Sequence, residues 1–262
     1  MNNKIVPFLL LIIVSAGILF FSASQYRENI RSLSKVETPA TVENAEEITE
    51  KSQSLSAEDI QALGASLDET TRNILLARAA EGEQVQMLLL GSTSFGLVAE
   101  HVTPVIENTY QGLIEIDYAG FDMTSAQFVE EGLLGGLIDW EKGYDIVLYE
   151  PFTLNNNGIV TVEDEQADIL MVQAHTRDYV SDAAFLISPP QPIYGARFYL
   201  TQITALEQYT TDARIPYINH WVNWPDHQTE EILPYLDDNS LPTELGIETW
   251  SDALVDYFIF KG

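Results

Sequence analysis

The stretch VQMLLLGSTSFGLVAEH, residues 85–101, decides the fold, because it joins an apolar strand to a helix through a hydroxyl-rich turn. An apolar run of this length is typical of a strand buried on both faces of a parallel sheet. Gly91 permits the tight turn, and the residues that follow predict a helix over 95–109. Between them lie Ser92, Thr93 and Ser94. Their hydroxyls are either caps of that helix or candidate nucleophiles in the field of its positive end.

The strand-then-helix pattern recurs along the rest of the chain. The predicted strands are residues 85–90, 113–118, 144–152, 183–190 and 215–221. The predicted helices are residues 95–109, 124–140, 161–179, 196–213 and 246–260. Such pairs imply right-handed crossovers, so the sequence predicts an α/β fold whose parallel sheet of about five strands is covered by helices on both faces. Ligands of such sheets bind beyond the carboxyl ends of the strands.

The N-terminal third of the chain predicts three further segments. Residues 1–24 contain an unbroken apolar run from Ile5 to Phe21, which indicates either a signal peptide or an uncleaved membrane anchor. We favour an anchor, because residues 25–54 form a polar linker that suits an exported stalk. Residues 55–83 predict one or two helices ending at Gly82, and residues 84–262 form the main domain. The expected location is the cell membrane with the domain outside, or secretion if the segment is cleaved.

Charge and cysteine content exclude several classes of function. The chain of 262 residues has 40 Asp and Glu against 12 Lys and Arg, a formal net charge of −28. A surface this acidic repels nucleic acid, so a nucleic-acid partner is not expected. The chain has no cysteine, which excludes disulfides, cysteine-ligated zinc and thiol catalysis.

Two later loops also carry candidate site residues. Gly120 follows the second predicted strand, where its backbone N–H could point toward the same crevice as Ser92. Three asparagines, Asn155 to Asn157, follow the third strand. A carboxamide is a neutral donor of the kind that completes an oxyanion hole, although such a loop is also a common turn.

Taken in order, these loops resemble the conserved blocks of the SGNH (GDSL-type) hydrolases over about residues 84–260. The first block, Gly-Asp-Ser-Leu, aligns with residues 91–94, and the glycine of the second block aligns with Gly120. The Gly-x-Asn-Asp block aligns with residues 153–156, which places Asn155 on the asparagine. The Asp-x-x-His-Pro block aligns with residues 238–242. The resemblance implies a flavodoxin-like three-layer α/β/α sandwich and a serine ester hydrolase that needs no cofactor or metal.

The chain is also similar to a group of membrane-anchored Firmicute SGNH-like proteins. The shared stretches are EPFTLN at 150–155, HW with WPD at 220–226, and the segment from Pro242 to Trp250. This likeness supports the N-terminal anchor and an extracellular domain.

The chain departs from the SGNH pattern at the positions that carry the chemistry. Ser92 replaces the first-block aspartate, so Thr93 aligns with the nucleophile, and Asn156 replaces the third-block aspartate. Leu241 occupies the position of the catalytic histidine, and Ile247 stands where the Firmicute group has a histidine. A serine hydroxyl is a poor nucleophile without a base, and leucine cannot serve as one.

Of the four histidines, His220 is the best candidate base, because it ends a predicted strand. Asp226 or Asp238 would orient it. The alternative is a structural histidine that ties down its loop. Substrate-binding candidates are Asn156, Trp221 and Trp224. The two indoles would form a sugar-stacking wall or else pack on the core.

The sequence therefore predicts an exported, membrane-anchored hydrolase that acts on an ester, such as an O-acyl group of an envelope polysaccharide. The expected catalytic residues are a hydroxyl among Ser92, Thr93 and Ser94 with His220 and Asp238, and the oxyanion donors are Gly120 and Asn155. The alternative is a catalytically silent carbohydrate- or envelope-binding module that kept the fold and lost the histidine. A nucleotide-binding flavodoxin-like protein is disfavoured, because no phosphate-loop signature is present.

Overall fold

The computed structural model describes residues 55–262, which begin with two helices. Helix α1 spans Ala57–Leu63, and Ser56 caps it in a capping box with Asp59. Helix α2 spans Glu69–Glu81 and ends at Gly82, whose φ of 72° is the left-handed conformation that glycine adopts without strain. The sequence predicts one or two helices ending at Gly82, and the structure has two.

The predicted anchor and linker, residues 1–54, lie outside the described residues. In the described part of the chain, no helix combines the length and apolar character that a membrane crossing requires.

A parallel sheet of four strands forms the centre of the domain, in the order β2-β1-β3-β4. The strands are β1 (Val85–Ser92), β2 (Ile114–Phe121), β3 (Ile146–Tyr149) and β4 (Ala184–Ile187). The longer connecting helices are α3 (Thr93–Thr109), α6 (Val162–Tyr179), α7 (Phe198–Ala213) and α8 (Glu244–Phe258). Two short helices, α4 (Ser125–Gln127) and α5 (Thr153–Asn156), follow β2 and β3. This α/β arrangement confirms the predicted fold class.

Both faces of the sheet are buried, which explains the continuous apolar strands. Met87 and Leu89 of β1 lie in a core cluster with residues of α1, α2, α3 and α8. Leu88 and Leu90 point to the opposite face, in a second cluster with residues of α6 and α7. Because side chains alternate along a strand, each central strand supplies both layers of a three-layer sandwich.

The predicted fifth strand, residues 215–221, is reduced to one isolated parallel bridge between Ile187 and Tyr217. Pro216 has no N–H and only accepts a hydrogen bond, from Ile187 N at 2.9 Å. The chain then turns at Asn219 into a 3-10 helix over His220–Asn223. The edge of the sheet therefore ends with this contact, and the expectation of about five strands was wrong by one.

The predicted helix over 124–140 is also interrupted. After α4, a π-helix spans Phe128–Leu133, and a 3-10 turn spans Trp140–Lys142. Gly136 adopts a positive φ of 76°, which ends helical geometry between them. The apolar periodicity is real, but the glycines divide the segment into short turns.

The segment of α1 and α2 packs against the domain. Ile60 and Leu75 are fully buried in the same core cluster as one face of the sheet. Arg78 of α2 donates two hydrogen bonds to Asp145 Oδ1, at 3.1 Å from Nε and 2.7 Å from Nη2. The other carboxylate oxygen of Asp145 accepts the N–H of Gln86 in β1 at 3.0 Å.

Candidate active site

Residues 91–94, where the end of β1 meets the start of α3, are called here the first loop. It lies at the carboxyl edge of the sheet, where the order β2-β1-β3-β4 makes the crossovers leave β1 and β3 in opposite directions. This point between β1 and β3 is where open α/β sheets form a crevice.

Ser92 occupies the N-cap position of α3, yet its side chain makes no capping hydrogen bond. Its hydroxyl lies 2.8 Å from the Ser94 hydroxyl instead, and both side chains are buried. Thr93, between them, is exposed. The capping alternative therefore does not describe Ser92, and the N–H groups of the first helical turn are not capped by it.

Glu150 is the partner of this loop. It directly follows β3, is fully buried, and its Oε2 accepts the N–H of Ser92 at 2.7 Å while Oε1 accepts the N–H of Phe152 at 3.0 Å. Sequence analysis missed Glu150, although an acidic residue at the end of the apolar strand IVLY is itself a signal of a buried site residue.

Gly91 makes this approach possible. A Cβ atom at position 91 would lie 2.7 Å from the Cβ and 3.0 Å from the Oε2 of Glu150. The glycine therefore admits the carboxylate to the first loop.

Burial raises the pKa of Glu150, because the low dielectric of the interior disfavours its charged form. Hydrogen bonds from Ser92 and Phe152 oppose this shift by stabilising the carboxylate. Among the salt bridges of residues 55–262, none involves Glu150. The site thus holds a carboxyl group that is a stronger proton acceptor than an exposed glutamate.

Gln191 connects the first loop to the segment aligned with the histidine block. Its side chain is fully buried; Oε1 accepts from Ser94 Oγ at 3.4 Å, and Nε2 donates to the backbone oxygen of Ser240 at 3.1 Å. The turn of residues 237–242 therefore lies beside the first loop. Gln191 was also missed, although it follows β4 at the ligand-bearing edge.

That turn carries Leu241 where the family has its base, and this side chain is 42% exposed. Asp237, rather than the predicted Asp238, organises the turn: its Oδ1 accepts the N–H groups of Asn239 at 2.8 Å and Leu241 at 2.9 Å. Asp238 is exposed, and its side chain has no hydrogen bond within the described residues. The geometry gives Asp238 no histidine to orient.

His220 is fully buried, and both of its ring nitrogens are engaged. Nδ1 accepts the indole N–H of Trp224 at 2.9 Å, which leaves Nε2 as the protonated nitrogen that donates to Pro189 O at 2.8 Å. The ring stacks on Trp250 with centroids 4.4 Å apart. Burial lowers the pKa of His220 to about 3. This geometry supports the structural alternative, because neither nitrogen is free to take a proton from Ser92.

The two predicted substrate-binding tryptophans serve the same loop. Trp224 is buried beneath it, and Trp221 is half-buried with its indole N–H donating to Pro190 O at 2.7 Å. Asp226 is exposed, and its Oδ1 accepts the N–H of Gln228 at 2.9 Å and lies 3.9 Å from His227 Nδ1. These contacts fit the packing alternative better than an open sugar-stacking wall.

Gly120 pairs with Gly91 in the sheet register, as expected for a residue at the same edge. The space beside its Cα is filled by Tyr118, whose hydroxyl donates to the backbone oxygen of Ser92 at 2.8 Å. Burial raises the pKa of Tyr118 to about 12. A side chain at position 120 would collide with Tyr118. The presence of glycine there therefore has a structural explanation that is independent of any oxyanion role.

Asn155 and Asn156 have different surroundings. Asn155 is half-buried, and its Nδ2 donates to Asp122 Oδ1 at 3.2 Å. Asn156 is fully buried, and its Oδ1 accepts the N–H of Ser125 at 2.8 Å. Asn156 therefore ties α5 to α4 and is not accessible to a substrate.

A second buried carboxyl group lies behind α5. Glu165 of α6 accepts a short hydrogen bond from Thr153, and burial raises the pKa of Glu165 to about 7. Over residues 55–262, no group of three or more His, Asp or Glu side chains is arranged to hold a metal ion.

Comparison with known proteins identifies the fold through solved structures alone. A protein from Desulfitobacterium hafniense DCB-2, assigned to the G-D-S-L family of lipolytic proteins, is 15% identical with a TM-score of 0.52. The match covers 66% of this chain and 99% of that one. A catalytic mutant of Axe2, an acetylxylan esterase from Geobacillus stearothermophilus, is 12% identical with a TM-score of 0.56. That match covers 68% of this chain and 95% of the other.

TesA is a third structural neighbour, with 12% identity and a TM-score of 0.51 over 66% of this chain and 97% of that one. No family model matches the sequence, and no curated protein matches it. The structure therefore has the fold of the SGNH/GDSL-type lipases and esterases, which confirms the resemblance predicted from the sequence at the level of the fold.

Proposed function

We propose that this protein is an SGNH-type ester hydrolase whose nucleophile is the hydroxyl of Ser92. The observation that carries the proposal is that Ser92 occupies an N-cap position without capping: its hydroxyl contacts Ser94 and its backbone N–H is held by Glu150. A serine held only for helix stability would bond to the first helical turn instead.

The first turn of α3 supplies the second element of the chemistry. Its N–H groups have no acceptor within the helix and lie at the positive end of the helix dipole. In the proposed reaction Ser92 Oγ attacks the acyl carbonyl, and these N–H groups stabilise the developing oxyanion. The alcohol leaves with a proton, and water then hydrolyses the acyl-serine to regenerate the hydroxyl.

The proposed substrate class is an O-acyl ester, such as one on an envelope polysaccharide. It rests on the SGNH-type fold, on the apolar run of residues 5–21 and on the polar linker of residues 25–54, whose composition suits an exported stalk. The partners in this proposal are the ester and the membrane, and the domain is extracellular, or secreted if the N-terminal segment is cleaved.

Hydrolysis of p-nitrophenyl acetate by the purified full chain tests the proposal. We expect turnover by the parent and a loss of at least about 100-fold in kcat/KM for Ser92→Ala. Ser181→Ala is the matched control, because Ser181 is exposed and precedes β4 at the opposite edge of the sheet. It should retain the parent rate.

Two results would contradict the proposal. Absence of turnover by the folded parent would favour the silent binding module. Loss of turnover in Thr93→Ala with full activity in Ser92→Ala would assign the nucleophile to the position aligned with that of the family.

A further inference from the structure

None of the four histidines is placed to activate the first loop. His101 is exposed, with Nδ1 3.0 Å from Leu97 O, and His175 packs edge-on against Trp140. His227 packs against Trp221, and His220 is engaged through both nitrogens. Within residues 55–262 the hydroxyls of Ser92 and Ser94 make no hydrogen bond to a histidine. The proton of the nucleophile needs another acceptor.

We propose that Glu150 is the general base of this site and takes the proton of Ser92 Oγ directly. The inference rests on the proposed ester hydrolysis and extends it. Glu150 Oε2 accepts the backbone N–H of Ser92 at 2.7 Å, which places the carboxylate beside the residue that carries the hydroxyl. Gly91 removes the one side-chain atom that would block this approach.

The surroundings of Glu150 favour proton acceptance. The titratable groups that face it are Tyr118 from β2, Tyr149 from β3, Glu165 from α6 and Tyr199 from α7. None is a cation, so no positive charge holds the carboxylate in its ionised form. Burial raises the pKa of Glu150 toward the working range of a base, whereas a Lys or Arg partner would lower it.

The proton balance closes with this one carboxyl group. As Ser92 Oγ bonds to the acyl carbon, its proton passes to Glu150, and the neutral acid then protonates the departing alkoxide. In the second half-reaction Glu150 accepts a proton from the attacking water. It returns that proton to Ser92 Oγ when the acid is released.

The hydrogen bonds around Ser94 give the exchange a direction. The single proton of Ser94 Oγ goes either to Gln191 Oε1 at 3.4 Å or to Ser92 Oγ at 2.8 Å, and only the second arrangement leaves the Ser92 proton for Glu150. In that arrangement Ser94 is a positioning residue, because it orients the Ser92 hydroxyl toward the carboxylate.

Kinetics of the full chain on p-nitrophenyl acetate test the role of Glu150, with Glu150→Gln, Glu150→Asp and Glu165→Gln compared at equal fold content by circular dichroism. We expect Glu150→Gln to lower kcat/KM by at least about 100-fold, the usual contribution of a general base. Glu150→Asp keeps a carboxylate at a longer reach, and we expect an intermediate rate. Glu165→Gln is the matched control, because Glu165 is a buried glutamate that bonds Thr153; it should stay within about threefold of the parent.

The pH profile separates a base from a structural residue. The parent should lose activity as pH falls through the pKa of Glu150, above the usual range of a glutamate, because the protonated acid cannot accept a proton. This acid limb should shift in Glu150→Asp and vanish from any residual activity of Glu150→Gln.

Failure of the Glu150 proposal can be distinguished from failure of the proposed ester hydrolase. If Ser92→Ala abolishes turnover while Glu150→Gln keeps more than a third of kcat/KM with the same acid limb, Glu150 is not the base and the hydrolase remains. If Glu150→Gln does not fold, an unshifted limb in Glu150→Asp overturns the proposal. If the folded parent has no turnover, both proposals fall.

Discussion

The contact between Gly91 and Glu150 fixes the geometry of the candidate site. A glycine after an apolar strand is usually explained by the turn that it permits, yet no positive φ is found at Gly91. Its requirement is steric, since a methyl group there would meet the buried carboxylate. The glycine at position 91 therefore indicates that the Glu150 carboxylate packs closely against the first loop.

Gly91→Ala tests this reading. We expect overpacking to lower the free energy of unfolding by about 1–3 kcal/mol and to displace the carboxylate, with at least a tenfold fall in the rate of ester hydrolysis. Chemical denaturation and the esterase assay measure the two effects. Gly158→Ala is the control, because Gly158 has a φ of 75° but open space around it, so stability should fall without loss of activity. Full activity in Gly91→Ala would show that the close approach is dispensable.

At the residue scale the sequence predicted the positions of the loops better than the side-chain contacts that the loops make. The first loop and Gly120 lie at the carboxyl ends of β1 and β2, and Asn155 follows β3, because strand ends follow from the apolar pattern. Spacing could not pair Glu150 with Ser92 or Gln191 with Ser94, since these contacts span 58 and 97 positions of the chain.

Among the secondary-structure elements, α2 is the one whose role the sequence left most open. The sequence predicts a helix that ends at Gly82 without indicating what it packs on, and in the structure Leu75 is fully buried in the core cluster beside the sheet. Helical periodicity identifies a helix, but it does not show which surface of the domain the helix packs against.

Leu75→Ala should therefore destabilise the whole domain. We expect a loss of about 2–5 kcal/mol in the free energy of unfolding, because the substitution removes buried methyl groups and leaves a cavity. Leu170→Ala is the control, since Leu170 of α6 is 56% exposed and should cost less than about 0.5 kcal/mol. Equal effects in urea titrations would mean that α2 is not part of the cooperative unit.

The fifth strand and the helix over 124–140 show where element prediction fails. Both segments have the expected apolar content, but Pro216 removes a ladder donor and Gly136 leaves helical geometry. Single residues that break hydrogen-bond ladders override the periodicity of their neighbours.

For the molecule as a whole, two buried groups act on stability with opposite signs. The pKa of His220 falls from 6.5 to about 3, so the unfolded chain binds a proton that the folded chain excludes, and acidification below pH 6.5 favours unfolding. The pKa of Glu165 rises from 4.5 to about 7, so the folded chain keeps a proton that the unfolded chain releases. Rising pH from 4.5 to 7 therefore removes stability through Glu165.

Glu165→Gln should reveal the pH dependence of the free energy of unfolding that comes from His220. Between pH 5 and 6.5 the free energy of unfolding should rise with pH more steeply than in the parent, by up to about 1.4 kcal/mol per pH unit. Urea titrations across this range measure the slope. Glu163→Gln, an exposed change on the same helix, should leave the slope unchanged. Identical slopes for Glu165→Gln and the parent would show that Glu165 is not protonated in the folded state.

The central claim is that Ser92 is a nucleophile activated by Glu150. Mass spectrometry of the full chain after treatment with a serine-reactive phosphonate tests it most directly. We predict one covalent adduct on Ser92, absent in Ser92→Ala and formed at least tenfold more slowly in Glu150→Gln. A folded parent without an adduct, or with its adduct at another residue, would contradict the account.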